Sequence, residues 1–135
     1  MSLRYRAHVV ALIFCAGHAT AAGAQPFTER VSLAKKLEEQ STTTEYFKNG
    51  MYPAIGSALA SAMRECMSRA GASTVKFTVV ADVSQDGKFV NIAHEPNTNT
   101  AACLAVAMES FRTPPPPMCD CGANLPIVID MSVAP

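Results

Sequence analysis

Hydrophobic and polar residues alternate in three separate stretches of the chain, which predicts three β-strands. The first runs from Val75 to Val83, and Asp86-Gly87 follows it as a tight hairpin turn in which both residues should have positive φ. The second strand runs from Lys88 to Glu95 and should pair antiparallel with the first. The third runs from Leu125 to Val133, and its Pro126, which lacks an amide donor and should face outward, indicates a sheet edge or a strand start.

A period near 3.6 predicts three helices around these strands. A short N-terminal helix covers residues 28–40, after which Ser41 to Thr44 break the pattern and Asn49-Gly50 marks a turn. A stronger helix runs from Pro53 to Arg69. A third helix lies between Thr100 and Arg112, and its apolar face should lie across the sheet.

Pro114 to Pro117 form a proline run that forbids helix and imposes an extended conformation. Such a run can be a ligand for aromatic grooves, but the domains that bind it in this way are mostly cytoplasmic, whereas we expect this chain to be exported. We interpret it as a stiff connector that returns the chain to the sheet.

The predicted fold class is α+β, with a three-stranded antiparallel sheet packed by two helices in the order α-β-β-α-β, plus a short N-terminal helix. A chain of 135 residues is long enough for one domain only, because a single core needs roughly 100 to 150 residues. We divide it into a signal segment (residues 1–24), an N-terminal helix and linker (25–52) and the domain itself (53–135).

Residues 1–24 have the three parts of a secretory signal peptide. Arg4 and Arg6 precede an apolar run, and Ala22-Gly23-Ala24 provides a cleavage site before Gln25. We therefore expect a periplasmic or secreted protein without a stable membrane span after cleavage. The alternatives are an uncleaved anchor, for which the apolar run is short, and a lipoprotein modified at Cys15.

Charge excludes some partners. The chain has 11 basic and 11 acidic residues, and removal of residues 1–24 leaves 9 basic and 11 acidic ones. A nearly neutral chain has no field that favours nucleic acid or another acidic polymer. No phosphate-binding glycine loop or zinc-protease motif is present, and Asp82, Asp86, Asp130 and His94 suggest no catalytic arrangement, so we expect no cofactor, no metal and no enzyme activity.

Four cysteines remain after signal cleavage: Cys66, Cys103, Cys119 and Cys121. Because export exposes thiols to an oxidising compartment, this even number predicts two disulfides, for which three pairings are possible. We favour Cys66 with Cys103 and a local Cys119–Cys121 bridge; alternatively, both helix cysteines bond to the two loop cysteines. A competing function uses Cys119 and Cys121 as a redox dithiol or as ligands of a soft metal.

The order of elements resembles the C-terminal domain of the TonB and TolA envelope proteins. The resemblance lies in residues 77–90 (FTVVADVSQDGKFV) and 100–107 (TAACLAVA), followed by Phe111 and the prolines. It covers residues 53–133. Cys103 stands where TolA-like domains often have a helix cysteine, and Cys66 would replace the usual partner on the first strand.

The resemblance implies a periplasmic protein-interaction module that binds an envelope protein or peptide, often by adding a partner strand to a sheet edge. We expect the partner strand to bind along the third strand, at Ile127, Val128, Ile129, Asp130 and Met131. A homodimer through a sheet edge is a further possibility. Because only residues 25–52 precede the domain after cleavage, the resemblance implies a free-standing adaptor or inhibitor rather than an energy transducer.

Overall fold

Three antiparallel strands form the sheet, in the order β2-β1-β3. The computed structural model describes residues 25–70 and 76–132, so Val75, Val133 and the signal segment lie outside the described residues. The strands are β1 (Lys76–Val83), β2 (Phe89–Glu95) and β3 (Leu125–Ser132). The predicted class, an α+β fold with a three-stranded antiparallel sheet and helices, is confirmed.

The hairpin between β1 and β2 contains one residue in the left-handed region instead of the expected two. Gly87 has φ +74°, whereas Asp86 does not have positive φ. The Gly87 amide donates to the Ser84 carbonyl at 2.8 Å, and the Ser84 amide donates to the Lys88 carbonyl at 2.9 Å. This is the longer hairpin loop in which a single glycine follows an ordinary turn, so the predicted geometry was wrong at Asp86.

Strand β2 contains a bulge that the alternation did not reveal. The register with β1 shifts between Val80 and Asp82, so that β2 has one extra residue there. Asn91 lies at this point and has φ +51°, a conformation that asparagine tolerates better than most residues. The Glu95-Pro96 peptide bond, at the end of the strand, is cis.

Two helices, α3 (Tyr52–Ala70) and α4 (Asn99–Met108), close the core on the side of the sheet that carries the odd-numbered residues of β1. Thr98 caps α4, because its hydroxyl accepts a hydrogen bond from the Ala101 amide at 3.1 Å. The buried core on this side includes Ile55, Met63, Phe77, Val79, Ala81, Val83, Leu104, Met108, Leu125 and Ile127.

The segment expected to be a linker is helical. Helix α2 (Ser41–Tyr46) and a π-helical segment (Phe47–Met51) lead directly into α3, so the predicted break at residues 41–44 and the turn at Asn49-Gly50 were wrong. The Thr44 hydroxyl donates to the Glu38 carbonyl at 2.6 Å, and the Thr43 hydroxyl donates to the carbonyls of Leu37 and Gln40. These threonine hydroxyls thus satisfy backbone carbonyls at the C-terminal end of the preceding helix. Phe47 and Met51 are buried and pack the segment against the core.

Helix α1 (Phe27–Glu38) lies on the opposite face of the sheet, mainly over β3. Side chains alternate across a strand, so the register of β1 and β3 places Val80 and Val128 together on this face. Both are buried, as is Pro126, which was expected to face outward. The expectation for Pro126 was wrong because α1 covers a face that was expected to be solvated.

The proline run packs against the domain. Pro116 is buried, and the Tyr46 hydroxyl donates to the Pro114 carbonyl at 3.0 Å. Just before the run, the Thr113 amide donates to the Gly87 carbonyl at 3.0 Å, which joins the chain after α4 to the hairpin loop. No helix in the two described ranges is long and apolar enough to cross a bilayer.

Candidate functional site

Strand β3 is a sheet edge with regular geometry. All eight of its residues pair with β1 in one continuous register, from Leu125 with Val83 to Ser132 with Lys76. Among the described strands it has a neighbour on one side only. Residues 127–131, which were predicted to bind a partner, lie within this strand.

The direction of the β3 backbone groups follows from the antiparallel ladder. Because the Ser84 amide donates to the Lys88 carbonyl, the backbone N–H and C=O groups of Ser84 point toward β2, and so do those of every second residue before it. Those of Val83, Ala81 and Val79 then point toward β3. Their partners on β3 point back, so the backbone groups of Val128, Asp130 and Ser132 point away from the sheet. Pro126 belongs to the same outward set, where its missing amide removes no hydrogen bond from the ladder.

Burial divides this edge into two halves. Side chains from Leu125 to Val128 are buried, whereas Ile129 and Met131 are half-buried and Asp130 and Ser132 are exposed. Of the five residues predicted to bind a partner, Ile129, Asp130 and Met131 are therefore the accessible ones. Burial of Ile127 and Val128 reflects core packing on one face and α1 on the other.

Asp130 is the charged centre of the accessible half. The Thr78 hydroxyl donates to it at 2.6 Å, and the Lys35 ammonium lies 3.1 Å away. These two hydrogen bonds, that from Thr78 first, hold the pKa of Asp130 below its usual value. Glu38 lies near the same point, and partial burial, followed by the charge of Asp130, raises its pKa. The edge thus carries a stabilised carboxylate near the end of α1.

The other edge, β2, is a poorer template for a partner strand. Its bulge at Asn91 interrupts the register with β1, and bulged edges are less able to add strands. His94 lies next to Val79 on β1, and its Nδ1 is buried without a hydrogen-bond partner among the described residues. His94 is half-buried.

The four cysteines form the two pairs that we favoured. Cys66 and Cys103 are at disulfide distance, with 5.6 Å between their Cα atoms, as are Cys119 and Cys121, with 5.2 Å. The first pair joins α3 to α4, and the second lies in the loop before β3. The Cα separations of both pairs lie in the range that disulfide bonds require.

A groove lies between α3 and α4 that was not predicted from the sequence. Its volume is about 500 Å³, and the Cys66–Cys103 bridge lies in its wall with Ala62, Ala102 and Val106. Val106 is 68% exposed, which is unusual for a large apolar residue in an otherwise uncharged helix. An ion pair between Glu65 and Arg69 lies at its rim. The sequence signal for this groove was that α4 contains no charged residues, so that the outer face of the helix is apolar.

The remaining acidic residues do not converge on one site. Asp86 lies in the hairpin loop, 2.6 Å from the Lys88 ammonium, whereas Asp82 pairs with Arg30 on the face under α1. Within residues 25–70 and 76–132, no three histidine, cysteine or acidic side chains are close enough to hold a metal ion.

No protein-family model, curated protein or solved structure matches this chain.

Proposed function

We propose that this protein is an exported binding module, similar to the C-terminal domain of TonB and TolA, that binds an envelope protein or peptide by adding a partner strand to β3. It works as a free-standing adaptor or inhibitor in the periplasm or outside the cell. The observation that carries the proposal is the regular edge of β3, whose accessible half, Ile129 to Ser132, has outward backbone groups at Asp130 and Ser132.

The direction of the backbone groups provides the test. Asp130→Pro removes an outward amide and should block strand addition while it leaves the hydrogen bonds to β1 in place. Asp130→Ala removes the same side chain and keeps the amide, so it is the matched control. Met131→Pro removes an amide that points toward β1 and should destabilise the fold itself.

The measurement is photocrosslinking in the envelope of cells that produce the protein, with the photoreactive residue in place of Ser132. We expect the same crosslinked partner with the unmodified chain and with Asp130→Ala, and its loss with Asp130→Pro. Circular dichroism would verify that both variants are folded. A partner that crosslinks equally to Asp130→Pro would refute strand addition at this edge.

Two further measurements test the remaining parts of the proposal. Intact mass of the exported protein should show a chain that begins at Gln25; a lipid-modified chain that begins at Cys15 would contradict cleavage at that position. Sedimentation at several concentrations would reveal a homodimer, and Asp130→Pro should abolish one that forms through β3. A free-thiol assay separates binding from the alternative function, because a redox dithiol or thiolate metal site at Cys119 and Cys121 requires those thiols to be reduced.

A further inference from the structure

The face of the sheet under α1 has a distinct chemistry. Val80 and Val128 form an apolar strip, with relative exposures of 0% and 7%, and they are not part of the main core. Asp82 lies on the same face toward the hairpin and Asp130 toward the other end, since each is two residues away along its strand. The surface is therefore an apolar strip between two carboxylates.

Helix α1 meets both carboxylates with basic side chains. Arg30 donates to Asp82 at 3.2 Å and to the Asn91 carbonyl of the β2 bulge at 2.7 Å. Lys35 pairs with Asp130 at 3.1 Å. Ala34 lies between them in sequence and is fully buried. Helix α1 is thus matched to the surface through two cations and one small apolar residue.

The apolar anchorage of α1 is small. Of its twelve residues, Ala34 and Leu37 are buried; Leu37 belongs to the main core, and partly buried Leu33 packs against it. The ion pair between Lys35 and Asp130 is more than half exposed at both side chains, and exposed pairs contribute little to stability. No disulfide holds α1, whereas α3 and α4 are bridged. The turns from Phe27 to Lys36 are therefore expected to open more readily than the sheet.

We propose that this sheet face is a second binding surface, that α1 occupies it as an internal ligand, and that a helix of a partner protein with the same spacing of cations can replace α1. The partner helix has an arginine, a small residue four positions later and a lysine immediately after that. This proposal goes beyond the proposed function, because the surface is a face of the sheet and not the edge of β3.

A labelled peptide of residues 26–39 tests the exchange against the full chain. In the unmodified chain α1 competes with the peptide at a high effective concentration, so binding should be weak. The chain with Arg30→Ala and Lys35→Ala holds its own α1 less firmly, and it should bind the peptide about tenfold more tightly or better. The matched control is the chain with Lys36→Ala and Lys48→Ala, which loses the same charge from two exposed positions and should bind like the unmodified chain.

Two further experiments test which charges the exchange requires. A peptide with glutamate at the positions of Arg30 and Lys35 should not bind, and Asp82→Asn with Asp130→Asn in the weakened chain should abolish binding of the original peptide. Equal binding by the weakened chain and by its control would overturn the proposal. These assays need no envelope partner, so their failure is independent of the strand-addition test.

Hydrogen exchange of the unmodified chain supplies a measurement without mutation. Amides from Arg30 to Lys36 should exchange faster than those of β1, with the β1 amides remaining protected. Protection of α1 equal to that of β1 would show that the helix does not open separately, and it would overturn the proposal even if the peptide bound elsewhere.

Discussion

Gly87→Ala should destabilise the protein more than any other single glycine-to-alanine change among the described residues, for two reasons that can be separated. Gly87 has φ +74°, where a side chain costs roughly 1–2 kcal/mol. A Cβ atom there would also lie 1.9 Å from the Thr113 carbonyl oxygen. The Thr113 backbone would have to move, and its hydrogen bond to Gly87, about 1 kcal/mol, would be lost. Together these terms predict a loss of about 2–3 kcal/mol.

Two other glycines provide controls. Gly122 has φ +99°, but nothing lies within 4 Å of its added Cβ, so Gly122→Ala should show the conformational cost alone, roughly 1–2 kcal/mol. Gly56 lies in α3 with free space around it, so Gly56→Ala should stabilise the protein by roughly 0.5–1 kcal/mol.

Urea unfolding followed by circular dichroism, under oxidising conditions, gives the three differences in free energy of unfolding. The expected order of stability is Gly56→Ala, unmodified chain, Gly122→Ala, Gly87→Ala. Equal losses at Gly87 and Gly122 would refute the contact between the hairpin and Thr113 as the cause.

Four other predictions concern the disulfides and the charges. Cys66→Ser with Cys103→Ser should lower the free energy of unfolding by about 4 kcal/mol, because the bridge spans 37 residues. Cys119→Ser with Cys121→Ser should have a smaller effect, because that bridge closes a loop of only a few residues. Denaturation of both variants tests this, and equal losses would contradict it. The hydrogen bonds from Lys88 and then Ser84 lower the pKa of Asp86 to about 2, so its carboxyl should titrate near there by NMR, and Lys88→Gln should raise that value; an unchanged titration would contradict the ion pair. Asp130 stabilises the fold while it is ionised, because its pKa is lower in the folded chain than in the unfolded one. The stability lost in Asp130→Asn should therefore be largest above pH 3.8, the ordinary pKa of an aspartate side chain, and should shrink as the pH falls through the pKa of Asp130 in the folded chain. Unfolding at several pH values would measure this trend. The contribution of Glu38 to stability has the opposite pH dependence, because its pKa is higher in the folded chain than in the unfolded one. The difference in stability between Glu38→Gln and the unmodified chain, measured at the same pH values, should therefore change in the opposite direction as pH falls.

The strands and the start of α4 could be predicted because their signals are local, whereas α4 ends at Met108 and not at the predicted Arg112. Alternation with a period of two identified all three strands, and the bounds agree to within one residue at the ends that the structure describes, since each strand places one row of side chains in the same core. Thr98, directly before α4, is a residue type that favours an N-cap, and the structure shows it in that role. Pairing of Cys66 with Cys103 was favoured because two helices over one sheet face bring their inner residues together.

Features that depend on tertiary contacts could not be predicted. Thr43 and Thr44 were expected to break a helix, but their hydroxyls bond to the end of α1, and this relation needs the folded chain. The placement of α1 was missed because it depends on ion pairs with strands more than fifty residues away, whereas its apolar stripe is weak. The bulge at Asn91 has no periodic signal, and without it the two edges of the sheet look equally suited to a partner.

The Cys66–Cys103 bridge also determines how the molecule would respond to a pulling force. Both β1 and β2 lie between the two cysteines in sequence, whereas β3 lies outside. Tension applied through the chain ends would pass across the bridge and bypass 37 residues, about 125 Å of extended chain. Strand β3 could be pulled from the sheet while the hairpin stayed enclosed, so reduction of one bond would set how far the chain can be stretched.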